Sequence, residues 1–378
     1  MEEPLRLSIH AHFATLPDPR IERSKRHSLL DIVTIALCAV ICGADSWVDV
    51  ELFGQAKAAW LRTFLALPNG IPSHDTFGRV FARLDPARFE QCFLGWVQAI
   101  MRRTEGEVVA VDGKVLRRSH DQRAGKAALD LVSAWADTNR LVLGQRAVDA
   151  DSNEITAIPA LLEALALQGC IVTVDAIGCQ TAIAQAIVDQ GADYVLTLKG
   201  NQPTLLAAVE TYFAEARATG FRHTPHTYAQ TLDGDHGRVE TRRYWTTADP
   251  DLLAYLDPAA VWAGLASVGM VERERRTASG TSREVHYYVS SLGGDGVAFA
   301  RAVRGHWGIE NRLHWVLDIA FREDDSRVRA GHGAENFAVL RHIALNLLRQ
   351  DRTTRAGIKA KRLKAGWDEA YLRSLLGQ

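Results

Sequence analysis

The sequence predicts an α/β protein with a small all-helical unit in front and a β-rich insertion in its second half. Three observations carry this expectation. Apolar residues recur with a helical period up to about residue 104. Beyond it, short solid apolar runs at 108–111 and 171–174 alternate with helical segments, the pattern of strands covered on both faces. Between about residues 222 and 294 the helical period is lost, and Val, Tyr, Trp, Thr and Arg dominate.

The helical unit contains periodic segments at about 28–42, 46–67, 73–84 and 86–103, broken at Gly43-Ala44-Asp45, Pro68-Asn69-Gly70 and Asp85-Pro86. Ser73-His74-Asp75-Thr76-Phe77-Gly78-Arg79 could open the second helix of a helix-turn-helix, with a plain bundle as the favoured alternative. Next, the apolar run 108–111 reads as a buried strand ending in Asp112-Gly113-Lys114. Two strand-like runs, 129–136 and 141–148, flank Asp137-Thr138-Asn139 as a hairpin. A helix at 156–167, a strand at 171–174 ending in Asp175, a helix at 181–190 and a strand at 194–198 ending at Lys199 follow. The insertion carries strands at 238–246, 265–276 and 284–291, with turns at Asp235-His236-Gly237 and Ser279-Gly280-Thr281. Helix returns at 299–320 and 334–348, before a short helical tail.

Composition bounds the function. The 378 residues, 47% hydrophobic and 24% charged, suit two or three packed units and exclude disordered, collagen-like and disulfide-scaffold classes. With 44 Lys and Arg against 45 Asp and Glu, bulk electrostatics gives no support to nucleic-acid binding, which must then rest on particular residues. Yet residues 301–378 hold 15 Lys and Arg against 9 Asp and Glu, an excess lying mostly after Arg341 and including Lys359, Lys361, Arg362 and Lys364. This basic tail is expected to supply phosphate affinity, so deleting 351–378 should flatten the salt dependence of DNA binding. Five cysteines without a CxxC pair suit reduced thiols in a bacterial cytoplasm. The apolar stretch 32–44 is about half a membrane span and follows a good helix start at Ser28 and Asp31, so it reads as a core helix, with no membrane association.

The chemistry concentrates in three carboxylates. Asp112 and Asp175 each follow an apolar strand, and neighbouring parallel strands would bring both to one edge, where open α/β sheets place their ligands. Like charges held together are unfavourable unless a cation lies between them, which points to oxygen ligation of Mg²⁺ or Mn²⁺. Glu310, on a helix in Arg304-Gly305-His306-Trp307-Gly308-Ile309-Glu310-Asn311-Arg312, is the candidate third ligand. Each alone has a bland reading: turn former, helix cap or solvated helix face. Their recurrence in one core beside Lys199-Gly200-Asn201-Gln202 raises the odds. Asp149, Asp151 and Glu154 also resemble a loop metal site, with a solvated turn the favoured alternative because no EF-type loop follows.

With these motifs assembled, the chain resembles the insertion-sequence transposases of the ISAs type, the H-repeat-associated proteins, within the DDE transposases. The resemblance covers nearly the whole chain. It rests on Asp18-Pro19-Arg20, Ile71-Pro72-Ser73-His74-Asp75, Val111-Asp112-Gly113-Lys114, Ser152-Asn153-Glu154-Ile155, Val174-Asp175-Ala176-Ile177-Gly178, Leu198-Lys199-Gly200-Asn201-Gln202, His236-Gly237-Arg238 and His306-Trp307-Gly308-Ile309-Glu310-Asn311. It implies a helical N-terminal domain at 1–104 serving DNA-end recognition, an RNase H-like catalytic core at 105–221 and 295–350, an antiparallel β insertion at 222–294, and a tail at 351–378. It assigns Asp112, Asp175 and Glu310 as the catalytic, metal-ligating triad. One departure stands out. Related transposases carry a Tyr-Arg-Glu-Lys signature, whose Arg position is His306 here and whose distal Lys position is Leu317.

The implied reaction is Mg²⁺-dependent hydrolysis at a transposon end, followed by attack of the freed 3′-hydroxyl on target DNA, with Mn²⁺ able to substitute. The implied partners are double-stranded DNA, as terminal inverted repeats and target, and a second copy of the chain that pairs two ends. Expected DNA contacts are Lys114, Lys199, Asn201, Gln202, Arg238, Arg242, His306, Trp307, Asn311 and Arg312. Two rival readings remain. His306, Glu310, His314 and Asp318 recur every four residues and could build a zinc or di-metal hydrolase. The chain could also be a catalytically inactive DNA-binding relic.

Overall fold

The computed structural model describes residues 8–377 apart from 103, 122–124, 150 and 236–237. The leading residues 1–7 and His236-Gly237 of the predicted turn and motif therefore lie outside the described residues. Six helices open the chain: α1 (Ser8–Phe13), α2 (Leu29–Cys42), α3 (Trp47–Ala56), α4 (Ala58–Leu61), α5 (His74–Arg83) and α6 (Pro86–Ile100). Ser28 caps α2, accepting a hydrogen bond from the Asp31 N–H, and Gly43 ends it in the left-handed region at φ 117°. α2 is buried for most of its length, as expected of a core helix. Among the described residues no single helix is long and apolar enough to cross a membrane. The periodic segment 46–67 breaks after Ala56, and α4 ends at Leu61, well before α5 starts at His74. That gap is too long for the three- to four-residue turn of a helix-turn-helix, so the bundle alternative describes these helices.

A nine-stranded sheet follows, ordered β3-β2-β1-β4-β5-β9-β8-β7-β6. Its first five strands are β1 (Val108–Leu116), β2 (Leu129–Ala136), β3 (Leu141–Ala147), β4 (Ile171–Val174) and β5 (Asp193–Leu198). β1, β2 and β3 form an antiparallel meander, whereas β4 and β5 add in parallel beyond β1. The crossover helices are α7 (Glu154–Ala164) and α8 (Thr181–Asp189). This order and mixture of directions is the RNase H-like arrangement. After α9 (Pro203–Ala218) come β6 (Thr227–Asp235), β7 (Arg238–Thr247), the short α10 (Pro250–Leu256), β8 (Ser267–Thr277) and β9 (Gly280–Ser290). β9 pairs antiparallel with β5, from Val195↔Ser290 to Leu198↔Tyr287. The β-rich segment therefore extends the core sheet itself and is not a separate layer.

The chain ends in helices: α11 (Gly296–Gly308), a π-helical turn (Ile309–His314), α12 (Trp315–Phe321), α13 (Gly333–Gln350), α14 (Ile358–Trp367) and α15 (Glu369–Leu376). α13 is buried almost throughout and packs against α2, α5, α6 and β3. One apolar core consequently runs from Phe13 through the sheet to Leu376. Polar staples fix its register. Asn336 donates from its amide to the Phe81 and Leu84 carbonyls at the end of α5, and Asn346 exchanges two hydrogen bonds with the Val142 backbone on β3. Both asparagines are fully buried, so losing either would strand backbone groups away from water. The five cysteines are unpaired, and burial pushes the Cys42 and Cys179 thiols up to about 12, leaving them protonated and inert.

Candidate active site

Strand register creates the first pair. The parallel ladder between β1 and β4 ends at Val111↔Val174, so Asp112 and Asp175 are the next residue on each strand. β1 does not stop there, as the apolar run alone suggested. It continues to Leu116, because β2 still pairs with it through Asp112↔Ser133 and onward to Leu116↔Leu129. Asp112 thus stands in a paired strand at the point where its other neighbour leaves, while Asp175 ends its strand and caps a 3₁₀ turn by accepting from the Ile177 N–H at 3.2 Å.

Glu310 arrives on the π-helical turn between α11 and α12. Such turns are rare and concentrate at functional sites, since the extra residue rotates one side chain out of the helical repeat. The helix is seated by two glycines. A Cβ at Gly305 would lie 2.8 Å from the Val108 side chain, and one at Gly308 would lie 2.5 Å from Asp137 Oδ1. Arg312 adds an ion pair to Asp137 at 2.8 Å, tying the turn to the β2–β3 hairpin.

Burial, with the charges of Asp175 and Glu310 behind it, pushes the Asp112 carboxyl up to about 7. Burial and Asp175 likewise raise Glu310. Among the described residues none of the three carboxylates has a Lys or Arg within 4 Å. The nearest ring is His314, whose Nδ1 lies 3.5 Å from Asp112 Oδ2; burial drives it down to about 4, so it is neutral. A mutually repelling, all-oxygen set, with Asp112 and Asp175 half-buried, Glu310 exposed and no internal counter-charge, fits a hard divalent cation. The set is open: among the described residues no three His, Cys, Asp or Glu side chains are drawn together at metal-holding distance.

The chain matches the transposase DDE domain over residues 103–347 and the DDE_Tnp_1-associated region over residues 10–97. It belongs to the DDE transposase family. The chain is 39% identical over 369 residues, 97% of its length and 96% of the relative's, to "H repeat-associated putative transposase YhhI" of Escherichia coli strain K12. It is 39% identical over 375 residues, 98% of its length and 94% of the relative's, to "Putative transposase YncI" of Escherichia coli O157:H7. A Xanthobacter autotrophicus protein described as "Uncharacterized protein in dhlA 3'region" is 47% identical over 283 residues, 74% of this chain and 92% of that protein.

The residues expected to contact DNA divide into two groups. Lys114 is withdrawn from solvent: its ammonium pairs with Asp318, with Glu323 at 3.1 Å and with Asp324 at 3.9 Å. The amides of Asn201 and Gln202 donate to the Ala176 carbonyl at 2.7 Å and the Cys179 carbonyl at 3.0 Å. They brace the loop behind Asp175 instead of facing outward with free donors. His306 is half-buried, with Nδ1 3.0 Å from Thr173 Oγ1, and burial drives it down to about 4. It therefore cannot supply the charge that the family signature places at its position, and Leu317 at the Lys position is packed in the core. Arg242 is buried between Asp233 and Glu240.

Exposed Lys199 and Arg238 remain available, and Trp307 and Asn311 flank Glu310 on its own helix. With Arg238, Arg242, Arg273 and Arg304 these two line a basin of about 510 Å³ that also includes Asp233 and Glu240. Arg273 lies over the Trp307 ring at 5.4 Å and pairs with Glu240 and, at 3.4 Å, with Glu284, while Arg304 pairs with Asp233 at 3.1 Å, so both are partly neutralised. Arg273 and Arg304 escaped sequence reading because a single arginine on a strand or helix looks like any solvated charge. The alternative metal set on the helix comes apart, since Asp318 is paired with Lys114 and His306 with Thr173.

The basic tail also changes character. Lys361 is buried against the Leu348 and Asp351 carbonyls, and Arg362 donates to the Val40 and Ala320 carbonyls over the Phe321 ring. Lys364 binds Thr354 and covers Tyr371. Of the four tail cations named from sequence, Lys359 alone is exposed without an ion pair or hydrogen bond among the described residues. These cations hold the tail onto α2, α12 and α13.

Proposed function

We propose that this chain is an active DNA transposase that cleaves the ends of an insertion sequence and joins them to target DNA, with Asp112, Asp175 and Glu310 holding Mg²⁺ or Mn²⁺. The observation that carries this reading is that β1, the end of β4 and a π-turn bring three carboxylates within Coulombic reach of one another, in an open set without an internal cation. Divalent ions bound there would stabilise the attacking and leaving oxygens of a phosphodiester. The chain's own residues then have defined tasks. Asp112, coupled to both other carboxylates, would hold the ion together with each of them. Asn201 and Gln202 hold the Asp175 loop, and Gly305, Gly308 and Arg312 seat the Glu310 turn.

DNA enters beside the site along Arg238, Arg273, Arg304, Trp307 and Asn311, with Lys199 on the other side of the β5 end. Arginines supply phosphate affinity, while Trp307 offers a stacking face and Asn311 a hydrogen-bonding side chain. Two copies act together, one per transposon end, on the bacterial nucleoid. The deciding experiment is cleavage of end-containing DNA by the purified chain with Mg²⁺. Wild type should cut, whereas Asp112→Asn, Asp175→Asn and Glu310→Gln should bind the same DNA and leave it intact. Full cleavage by any one of these variants removes that residue from the triad. A wild type that binds the ends but never cuts them would make the protein an inactive relic.

A further inference from the structure

A fourth carboxylate reaches the three-carboxylate site from the opposite face of the sheet. Along β1, successive residues alternate between faces, so Asp112 and Gly113 point in opposite directions. Glu154, the first residue of α7, fills the space below Gly113: a Cβ there would lie 2.0 Å from Glu154 Oε1 and 2.6 Å from its Cδ. Gly113 does not occupy a left-handed conformation and pairs normally with Val132. The glycine is therefore required for room and not for backbone freedom.

From that notch the charge of Glu154 acts on Asp112, and burial, with Asp130 and Asp175 behind it, raises the Glu154 carboxyl in turn. Asp130 Oδ1 is itself buried without a hydrogen-bond partner. Glu154 has no ion pair or hydrogen bond from its side chain among the described residues. An acid in a first helical turn is ordinary, because the helix dipole favours it there. That preference is equally met by an outward-pointing side chain, as at Asp149 and Asp151, which are exposed just before the helix. It does not account for a carboxylate turned into a notch among three others.

We infer that Glu154 is a fourth carboxylate ligand for the divalent cation held by Asp112 and Asp175, admitted to the site through the notch at Gly113. The inference rests on the metal-site reading above and extends it to a residue outside the three-carboxylate motif. The test is calorimetric titration of Mn²⁺ into the full-length protein at pH 8, without DNA, for wild type, Glu154→Gln, Gly113→Ala and Asp112→Asn. Thermal unfolding with and without Mn²⁺ accompanies each titration.

Glu154→Gln should weaken Mn²⁺ binding by at least about tenfold. It should raise the metal-free Tm by relieving repulsion and shrink the Tm increase that Mn²⁺ produces. Gly113→Ala should weaken binding similarly by displacing the carboxylate while leaving its charge in the chain. If Glu154→Gln binds Mn²⁺ as wild type does while Asp112→Asn loses it, Glu154 is only a helix-terminal acid and the inference fails alone. If Asp112→Asn also binds Mn²⁺ as wild type does, the metal site itself is wrong and both fall. Should Glu154→Gln not fold, the Gly113→Ala titration decides by the same criterion.

Discussion

Two acidic clusters meet β1 only two residues apart, on the same face of the strand, and they are neutralised in opposite ways. Around Lys114 the carboxylates of Asp318, Glu323 and Asp324 share an internal ammonium, and Glu323 is also 3.5 Å from Arg341. Burial works to raise the Glu323 carboxyl, but Lys114 and Arg341 outweigh it and hold it below its ordinary value. Around Asp112 the partners are Asp175, Glu310 and Glu154, and burial with their repulsion drives the carboxyl up to about 7. The fold completes the first cluster with its own cations. It leaves the second in need of one from outside, which is what distinguishes a structural ion-pair network from a candidate metal site.

The largest expected effect comes from breaking the site itself: Asp112→Asn should reduce Mg²⁺-dependent cleavage to background with DNA retention unchanged in a gel-shift assay. Next in size, Lys114→Met leaves buried carboxylates unpaired and should cost about 3–5 kcal/mol in urea unfolding. The same Asp112→Asn change has the reverse sign on stability. Because the folded carboxyl titrates near 7 and the unfolded one near 3.8, its penalty is absent below pH 3.8 and complete only above pH 7. Metal-free wild type should therefore lose stability from this group as pH rises between those values. At pH 8 Asp112→Asn should be more stable by about 1–3 kcal/mol, a gap that Mg²⁺ closes by stabilising wild type alone. A metal-free stability that is flat across this range would break the comparison.

A smaller effect is expected one layer out, where Asn201→Ala with Gln202→Ala frees the Asp175 loop. Cleavage should fall by about tenfold while thermal stability changes little. Smallest of all, Arg238→Ala should lower the slope of log affinity against log salt by about 1, and Arg273→Ala or Arg304→Ala by less, because each of these two already pairs with a carboxylate. The Lys359→Ala slope should be almost unchanged.

Much of this was legible before the fold. Solid apolar runs located β1, β4 and β5, and the Val111-Asp112 and Val174-Asp175 junctions stood out because a charged residue directly after a buried strand is conspicuous. Strand β6, helix α9 and the merger of the insertion with the core sheet were not legible. β6 is a largely exposed edge strand without clean alternation, and α9, whose buried residues Leu205, Val209, Phe213 and Ala216 do recur at helical spacing, also carries Leu206 and Tyr212 off that stripe, which blurs its pattern. Cations were misread most often. Lys114, Arg242, Lys361 and Arg362 look in sequence like surface charges available to phosphate, and each proves to be buried or nearly so against carboxylates or backbone carbonyls.

By itself, then, the sequence determined the strands of the core, where their acidic ends fall and that a helix carries a third acid, because burial pattern and local turn chemistry are written in neighbouring residues. Tertiary structure alone decided which charges are spent and which remain. That choice depends on residues far apart in the chain, Lys114 with Glu323 or Gly113 with Glu154, meeting at a few ångströms, where Coulomb energies and desolvation act.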